Sequence, residues 1–251
     1  MQNLNGKRAL VTGGGIGIGQ GIVIALAEAG VNVAFTYLSH EPDSEFLESL
    51  AATGSTCVPL QVEATEEAQV VGAVQTATEA LGGLDILVNN IGGLIGRVPV
   101  AEMDLAFWHK VLAVNLDSMF LSTRESLRHL DGGWGRIVNV ASLAGHNGGS
   151  AGSTAYATAK AGMFGFTRGL AKEVAGGGIT VNAVAPGLIL DTPFHETFTP
   201  VESQRTAIET IALKRAGSPA DVAGPVLWLC SEASAFVTGA VIDINGGQYF
   251  V

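Results

Sequence analysis

The segment TAYATAKAG at 154–162 sets Tyr156 and Lys160 four residues apart. On a helix that spacing puts both on one face, with Cβ atoms about 5–6 Å apart. Neither group is reactive alone at neutral pH, since a phenol titrates near ~10 and an ammonium near ~10.4. Side by side they differ: a nearby ammonium favours the tyrosinate and draws the phenol toward working pH. The pair is then a proton donor for any ligand held beside it. The same spacing also arises on an ordinary amphipathic helix whose lysine only snorkels to water. What decides between the two is whether the chain carries a device for holding a ligand.

TGGGIGIG at 12–19 is such a device. It directly follows an apolar β-branched run and opens an Ala/Leu/Ile-rich stretch. Gly13 permits a sharp turn, Gly17 lets backbone approach a pyrophosphate, and Gly19 lets a helix pack tightly on a sheet. The helix N-terminus adds unpaired N–H groups and the positive end of its dipole. Glycines also serve packing alone, but the strand–turn–helix setting favours a dinucleotide site.

The elements that must position these groups are legible as alternation. Short, near-continuous apolar runs occur at 8–14, 31–37, 56–62, 85–91, 136–142, 180–186 and 240–246. They read as strands buried on both faces. Helical stretches at 17–29, 43–53, 66–81, 104–130, 155–175 and 219–231 lie between them. Strand alternating with helix predicts βαβ units and an α/β, doubly wound, seven-stranded parallel sheet, a single-domain Rossmann fold over 1–251. Two stretches are irregular, 92–103 and 187–212. The second follows a strand's carboxyl end, where such sheets bind ligands, and is read as a flap over the substrate.

Composition bounds the function. The net charge of −10 disfavours a nucleic-acid groove, which needs a concentrated basic face. With 47% hydrophobic and only 14% charged residues, and a mean hydropathy of +0.37, apolar surface is left for contacts between subunits. The two cysteines, Cys57 and Cys230, sit in apolar runs and read as buried free thiols, with neither metal-ligand nor disulfide spacing. The N-terminal residues carry no signal-peptide pattern, and no apolar run approaches the ~20 residues of a membrane span. The expectation is a cytoplasmic protein, without membrane or metal, acting on a small molecule.

The turn has the form TGxxxGxG, through Thr12, Gly13, Gly17 and Gly19. With Tyr-xxx-Lys it resembles the short-chain dehydrogenase/reductase family, and the resemblance runs nearly end to end. NNIG at 89–92 is similar to that family's NNAG, with Ile91 in place of alanine. VNLDSMF carries Asn115, VNVAS ends the fifth strand with Ser142, and TVNAVAPG supplies Pro186 and Gly187. The tail GAVIDINGGQYF looks like the family's last strand and oligomer-forming end.

The resemblance implies hydride transfer between a nicotinamide and a carbonyl or secondary alcohol, with Asn115, Ser142, Tyr156 and Lys160 catalytic. Tyr156 would be the general acid/base and Ser142 would orient the substrate oxygen. Lys160 would hold the nicotinamide ribose, and Asn115 would anchor a relay water. The cofactor-binding set implied is Gly13, Gly17, Ile18, Gly19, Tyr37, Val62, Asn90, Gly92, Tyr156, Lys160, Pro186, Gly187 and Thr192. It further implies a homo-oligomer, most readily a tetramer. Members most alike are the 3-oxoacyl-carrier-protein reductases and the sugar or polyol dehydrogenases. A dinucleotide-sensing regulator would lose the Tyr or Lys, and an epimerase or dehydratase usually carries a longer C-terminal substrate region. Two spacings depart from the pattern. Ser142 and Tyr156 are 14 apart, one more than in many members, and Thr192 comes one residue late after Pro186-Gly187.

The form of the nicotinamide is read from charge. Tyr37 ends the second strand, with no carboxylate there, which by family habit suggests NADPH. Yet no Lys or Arg lies between Arg8 and Arg97, where ten Asp/Glu occur. His40 is the one nearby group able to become a cation, with Glu41 and Asp43 beside it. A 2′-phosphate dianion is poorly matched to that field, so the expectation is NAD(H) favoured over NADP(H). For the substrate, His146, Asn147, His195 and Arg205 lie in segments that could reach a pocket, with Arg205 read first as a solvated helix charge. No patch for an acidic acyl carrier is evident.

Overall fold

In the computed structural model, residues 4–130, 132–192, 197–198 and 200–251 are described. The seven apolar runs form strands β1 (Arg8–Thr12), β2 (Asn32–Tyr37), β3 (Cys57–Gln61), β4 (Ile86–Asn89), β5 (Gly135–Val140), β6 (Ile179–Pro186) and β7 (Val241–Ile244). They pair in the order β3-β2-β1-β4-β5-β6-β7, every pair parallel. Consecutive strands run outward from β1 in one direction and from β4 in the other. That reversal opens a crevice at the carboxyl ends of β1 and β4, the place where doubly wound sheets take ligands.

Helices cover both faces, which is why the strands are apolar throughout rather than alternating. On one face α1 (Gly17–Glu28) packs beside the helix Pro219–Leu229, and Val11, Ile22, Leu26, Phe35 and Val226 close a core with no more than 1% exposure. On the other, α3 (Glu67–Leu81) and α7 (Thr154–Val174) bury Leu10, Val74, Leu87, Ile137 and Leu170. Each such Leu, Ile or Phe contributes about 1.5–3 kcal/mol of burial. At the far end of the sheet, Arg8 holds β1 to β4: its backbone N–H, Nε and Nη2 all donate to the Asp85 carboxylate, at 2.9, 2.7 and 3.0 Å.

The long helical stretch 104–130 is not one regular helix. It divides into α4 (Leu105–Leu112), a π-turn (Ala113–Asp117) and α5 (Ser118–Ser126). The widened turn has a local cause. Asn115 Nδ2 donates to the Val111 carbonyl at 2.9 Å, and Ser118 Oγ to that of Val114 at 2.7 Å, so side chains take up carbonyls of the interrupted ladder.

A buried polar chain then fixes the helices to the sheet. Ser122 donates to Asn89 Oδ1 (2.6 Å), Asn89 Nδ2 donates to Thr123 Oγ1 (2.9 Å) and Asn139 Oδ1 (2.8 Å), and Asn139 Nδ2 donates to Thr167 Oγ1 (2.9 Å). The chain joins α5, β4, β5 and α7, and its members are satisfied by one another, as burial demands. The irregular stretch 187–212 contains one described helix, Val201–Thr210. No helix among the described residues is long and apolar enough to cross a membrane.

Candidate active site

The glycine turn is built by steric exclusion. Gly13 and Gly17 take the left-handed backbone, with φ of +66° and +56°. A Cβ on Gly19 would strike the carbonyl oxygen of Gly13, so only glycine lets α1 begin so close to the turn. Asn90 braces the same place, its Nδ2 donating to the Thr12 and Gly13 carbonyls at 3.2 and 2.9 Å. Gly14, not singled out from sequence, is equally constrained: a Cβ there would lie 2.6 Å from Phe35 Cβ and 2.8 Å from Val23 Cγ2. The residue preceding α1, Ile16, supplies no side-chain cap, so the helix presents bare N–H groups to the crevice.

From this turn a cavity of about 1320 Å³ runs across the strand ends to Tyr156. Gly13, Gly17, Ile18, Gly19, Tyr37, Val62, Asn90 and Gly92 line one part of it. Ser142, Tyr156, Lys160, Pro186, Gly187 and Thr192 line the rest. Asn115 stands behind the wall. Its Oδ1 accepts from the Gly93 N–H at 3.0 Å and its Nδ2 donates to the Gly93 carbonyl at 2.8 Å, so it holds the loop after β4.

Tyr156 and Lys160 lie on one face of α7, with Nζ 5.7 Å from the centre of the phenol ring. Lys160 is buried and donates to the Val140 carbonyl at 2.9 Å. Gly92 makes this convergence possible, because a Cβ there would come within 2.8 Å of both Lys160 Nζ and Asn115 Oδ1. Ser142 sits two residues beyond the end of β5 and hydrogen-bonds Tyr156; its Oγ also accepts from the Ala144 N–H at 3.1 Å.

The electrostatics differ from the sequence expectation. Burial pushes Tyr156 up to about 12, outweighing the hydrogen bond with Ser142, which acts the other way. Burial pushes Lys160 down to about 7. A lysine that itself loses its proton near neutrality cannot draw the phenol down strongly. The tyrosine is therefore a fully protonated acid across the physiological range, beside a base poised at neutral pH.

The other expected pocket residues divide. Asn147 lines the cavity, its Oδ1 accepting from the Gly149 N–H at 2.8 Å. His146 turns away, with Nε2 3.2 Å from Asp243 Oδ1 and its ring packed on Phe164. Arg205 is a solvated helix charge near Glu202. His195 lies outside the described residues. The extra residue between Ser142 and Tyr156 falls in a loop with Gly148, Gly149 and Gly152 at positive φ.

Sequence reasoning missed Ile95 and Arg97 on the loop after β4. Ile95 lines the cavity at a φ of +64°, a strained conformation for a β-branched residue. Arg97 reaches the Ala151 and Phe198 carbonyls at 3.5 and 3.4 Å, bridging two other walls. Only Arg97's charge was visible in the sequence; nothing marks a left-handed isoleucine.

Residues 14–248 match a family model described as enoyl-(acyl carrier protein) reductase. The 3-oxoacyl-(acyl-carrier-protein) reductase of Aquifex aeolicus is 41% identical over 248 residues, 98% of each chain. The acetoacetyl-CoA reductase of Cupriavidus necator is 38% identical over 243 residues, 96% of this chain and 97% of that one. Among solved structures, a blue fluorescent protein from a metagenomic library, in complex with NADPH, superposes with a TM-score of 0.90 at 35% identity, covering 99% and 100% of the two chains. These relatives overturn the expectation of NAD(H), and the comparison points to NADP(H). The reason is one of range. Charge summed from Arg8 to Arg97 mixes residues on distant faces, screened beyond about 10 Å, whereas the choice is made by the few groups around one ribose. There β2 ends without the carboxylate that would take a ribose diol.

Proposed function

The chain belongs to the short-chain dehydrogenase/reductase family of NAD(P)-dependent oxidoreductases acting on a carbonyl or its secondary alcohol, and from that premise we propose that it reduces 3-oxoacyl thioesters with NADPH. The observation that carries this reading is the junction of Ser142, Tyr156 and Lys160 at one end of a cavity whose other end is the glycine turn. The residues fit the dinucleotide: bare N–H groups at α1 suit a pyrophosphate, and Gly92 and Gly187 leave backbone open to the cavity.

When bound, the nicotinamide supplies the hydride and, in its oxidised form, a positive charge. Tyr156 gives its phenolic proton to the substrate's carbonyl oxygen. Ser142, already hydrogen-bonded to that phenol, orients the same oxygen. Lys160, able to gain or lose a proton near pH 7, returns one to Tyr156. Asn115 holds the Gly93 backbone, and its Oδ1 and Lys160 Nζ both lie against Gly92, which places it to anchor a relay water beside Lys160. We read the segment 187–212 as a flap, of which 193–196 and 199 lie outside the described residues, and Arg97 touches its described part through the Phe198 carbonyl.

Both thioester carriers have support among the relatives, the 3-oxoacyl-(acyl-carrier-protein) reductases and the acetoacetyl-CoA reductase, and the net charge of −10 does not separate them because coenzyme A and the carrier are both anionic. NADPH oxidation with acetoacetyl-CoA, with the same acyl group on a carrier protein, and with a ketose tests this. Turnover of the thioesters is expected; turnover of the ketose alone would overturn it. We further read the protein as a homotetramer, on the exposed apolar Leu105 and Phe120 of α4 and α5 and the tail Phe250 and Val251. Light scattering giving one 25.7 kDa subunit would refute that. Two free cysteines with no disulfide suit a cytoplasmic location.

A further inference from the structure

We propose that Gln248, on the tail after β7, is a positioning residue: its amide latches the helix Val201–Thr210 so that Ser203 and Ala207 face the cavity, and substrate affinity depends on that latch. This rests on the reading of 187–212 as a flap over the substrate. The helix enters the site by one face, Ser203 and Ala207, four residues apart and both lining the cavity. It carries no fully buried residue. A hydrogen bond at its end therefore weighs more in fixing it than the same bond would on a core helix.

The end of this helix rests on the tail. A Cβ on Gly246 would lie 2.8 Å from Ile211 Cγ2, and one on Gly247 would lie 2.8 Å from Ala212 Cβ. Both glycines hold a positive φ, +63° and +79°, so glycine alone gives this turn and this approach. The Leu213 N–H donates to the Gly246 carbonyl at 3.1 Å. The tail is itself tied down by Asn245, which is buried. Its Oδ1 accepts from the N–H groups of Gly247 and Gln248 at 2.9 and 3.1 Å, and its Nδ2 donates to the Tyr249 carbonyl at 3.0 Å. The turn meets the site at Gly187, whose N–H donates to the Ile244 carbonyl at 2.9 Å and where a Cβ would lie 3.0 Å from Asn245 Cβ.

From this turn Gln248 reaches in two directions. Its Nε2 donates to Thr210 Oγ1 at 3.2 Å, and that hydroxyl donates to the Ala207 carbonyl at 2.7 Å. A hydroxyl has one proton, spent here on Ala207, so the nitrogen side of the amide faces Thr210 and the oxygen faces the other way. That oxygen lies 3.3 Å from where a Cβ on Gly187 would stand, at the cavity wall. The chain Gln248–Thr210–Ala207 thus runs from the wall of the site to the cavity face of the helix. One such bond is worth a factor of about three to ten in the balance between a seated and an unseated helix.

The test uses the whole protein in two assays. In hydrogen exchange, Gln248→Ala and Thr210→Val are each expected to speed exchange of the 203–210 amides by about threefold to tenfold, with the sheet amides unchanged. Thr210→Ser, which keeps the hydroxyl, should exchange like wild type, and the double variant should be no faster than either single one. In NADPH-linked turnover of acetoacetyl-CoA, both single variants should raise KM by a like factor while kcat stays within about twofold. Thr210 does not line the cavity, so its variant separates the latch from a direct contact of Gln248 with substrate. Additive effects, or unchanged exchange at 203–210 in Gln248→Ala, would overturn the latch whatever the enzyme acts on. Faster exchange with an unmoved KM would overturn the dependence of substrate affinity on it. A wild type that turns over no thioester would remove the substrate reading, and the exchange data alone would then uphold or overturn the latch.

Discussion

Lys160 should cost the fold stability, and the cost should fade with rising pH. An ordinary lysine titrates at 10.5, whereas burial holds Lys160 at about 7. Below pH 7 the group is protonated in both folded and unfolded chains, and the full penalty of burying the charge applies. Between pH 7 and 10.5 the unfolded chain keeps a proton the folded chain has lost, so stability rises with pH by about 1.4 kcal/mol per unit. Above 10.5 no penalty remains. The penalty is then about 4 kcal/mol at pH 7 and about 2 kcal/mol at pH 9. Lys160→Met removes the charge but leaves the Val140 carbonyl without its donor, a pH-independent loss of about 1–3 kcal/mol. The diagnostic is therefore the slope. Urea unfolding of both proteins from pH 6 to 9.5, at equal subunit concentration because association adds to stability, should show wild type gaining about 2 kcal/mol on the variant between pH 7 and 9. Parallel curves would mean that Lys160 keeps its proton in the folded site, and the picture of a base poised at neutrality would fall.

Tyr156→Phe should lower kcat by at least about 100-fold while cofactor titration stays near wild type, since the ring remains and only the proton donor goes; near-normal kcat would sink the assignment. In Gly92→Ala the new methyl must displace Lys160 Nζ or Asn115 Oδ1, so kcat should drop about tenfold or more, and unchanged steady-state kinetics would show the convergence to be incidental. Gly19→Ala forces α1 off the Gly13 carbonyl and should weaken dinucleotide binding more than it lowers the melting temperature, as fluorescence titration and thermal unfolding would report together. Asn139→Leu strands one Asn89 N–H in the core and should destabilise by about 2–4 kcal/mol in urea, with a smaller loss pointing to repacking around Thr167.

What the residues disclosed in advance followed from local rules. Gly13, Gly17 and Gly19 announce a turn because glycine alone fits there, and Tyr156 with Lys160 announces a shared helix face through spacing. The five inner strands were legible because double-sided burial makes each a near-continuous apolar run, and the edge strands β3 and β7, only part-buried, kept the same apolar bias. The rest depended on distance through space. The π-turn at Asn115 is invisible to periodicity, because its cause is a side chain reaching Val111 and a loop 22 residues away. The titration of Tyr156 was misjudged because burial, not the neighbouring ammonium, dominates. The helix Val201–Thr210 hid in a stretch whose flanking prolines and polar residues read as irregular. His146 looked pocket-bound until β7 brought Asp243 to it.

The pairing of β1 with β4 also dictates when this chain can become itself on the ribosome. The Arg8–Asp85 fork joins groups 77 residues apart, so the β1, β2 and β3 half emerges with one face of β1 still unpaired until β4 has left the exit tunnel. Synthesis at about 5–20 residues per second leaves that apolar edge open for several seconds. Non-local parallel pairing of this kind folds slowly and invites intermolecular strand addition. Overproduction of this protein should accordingly be limited by the waiting nascent chain rather than by the finished fold, and added chaperone should raise the soluble yield more than any surface mutation.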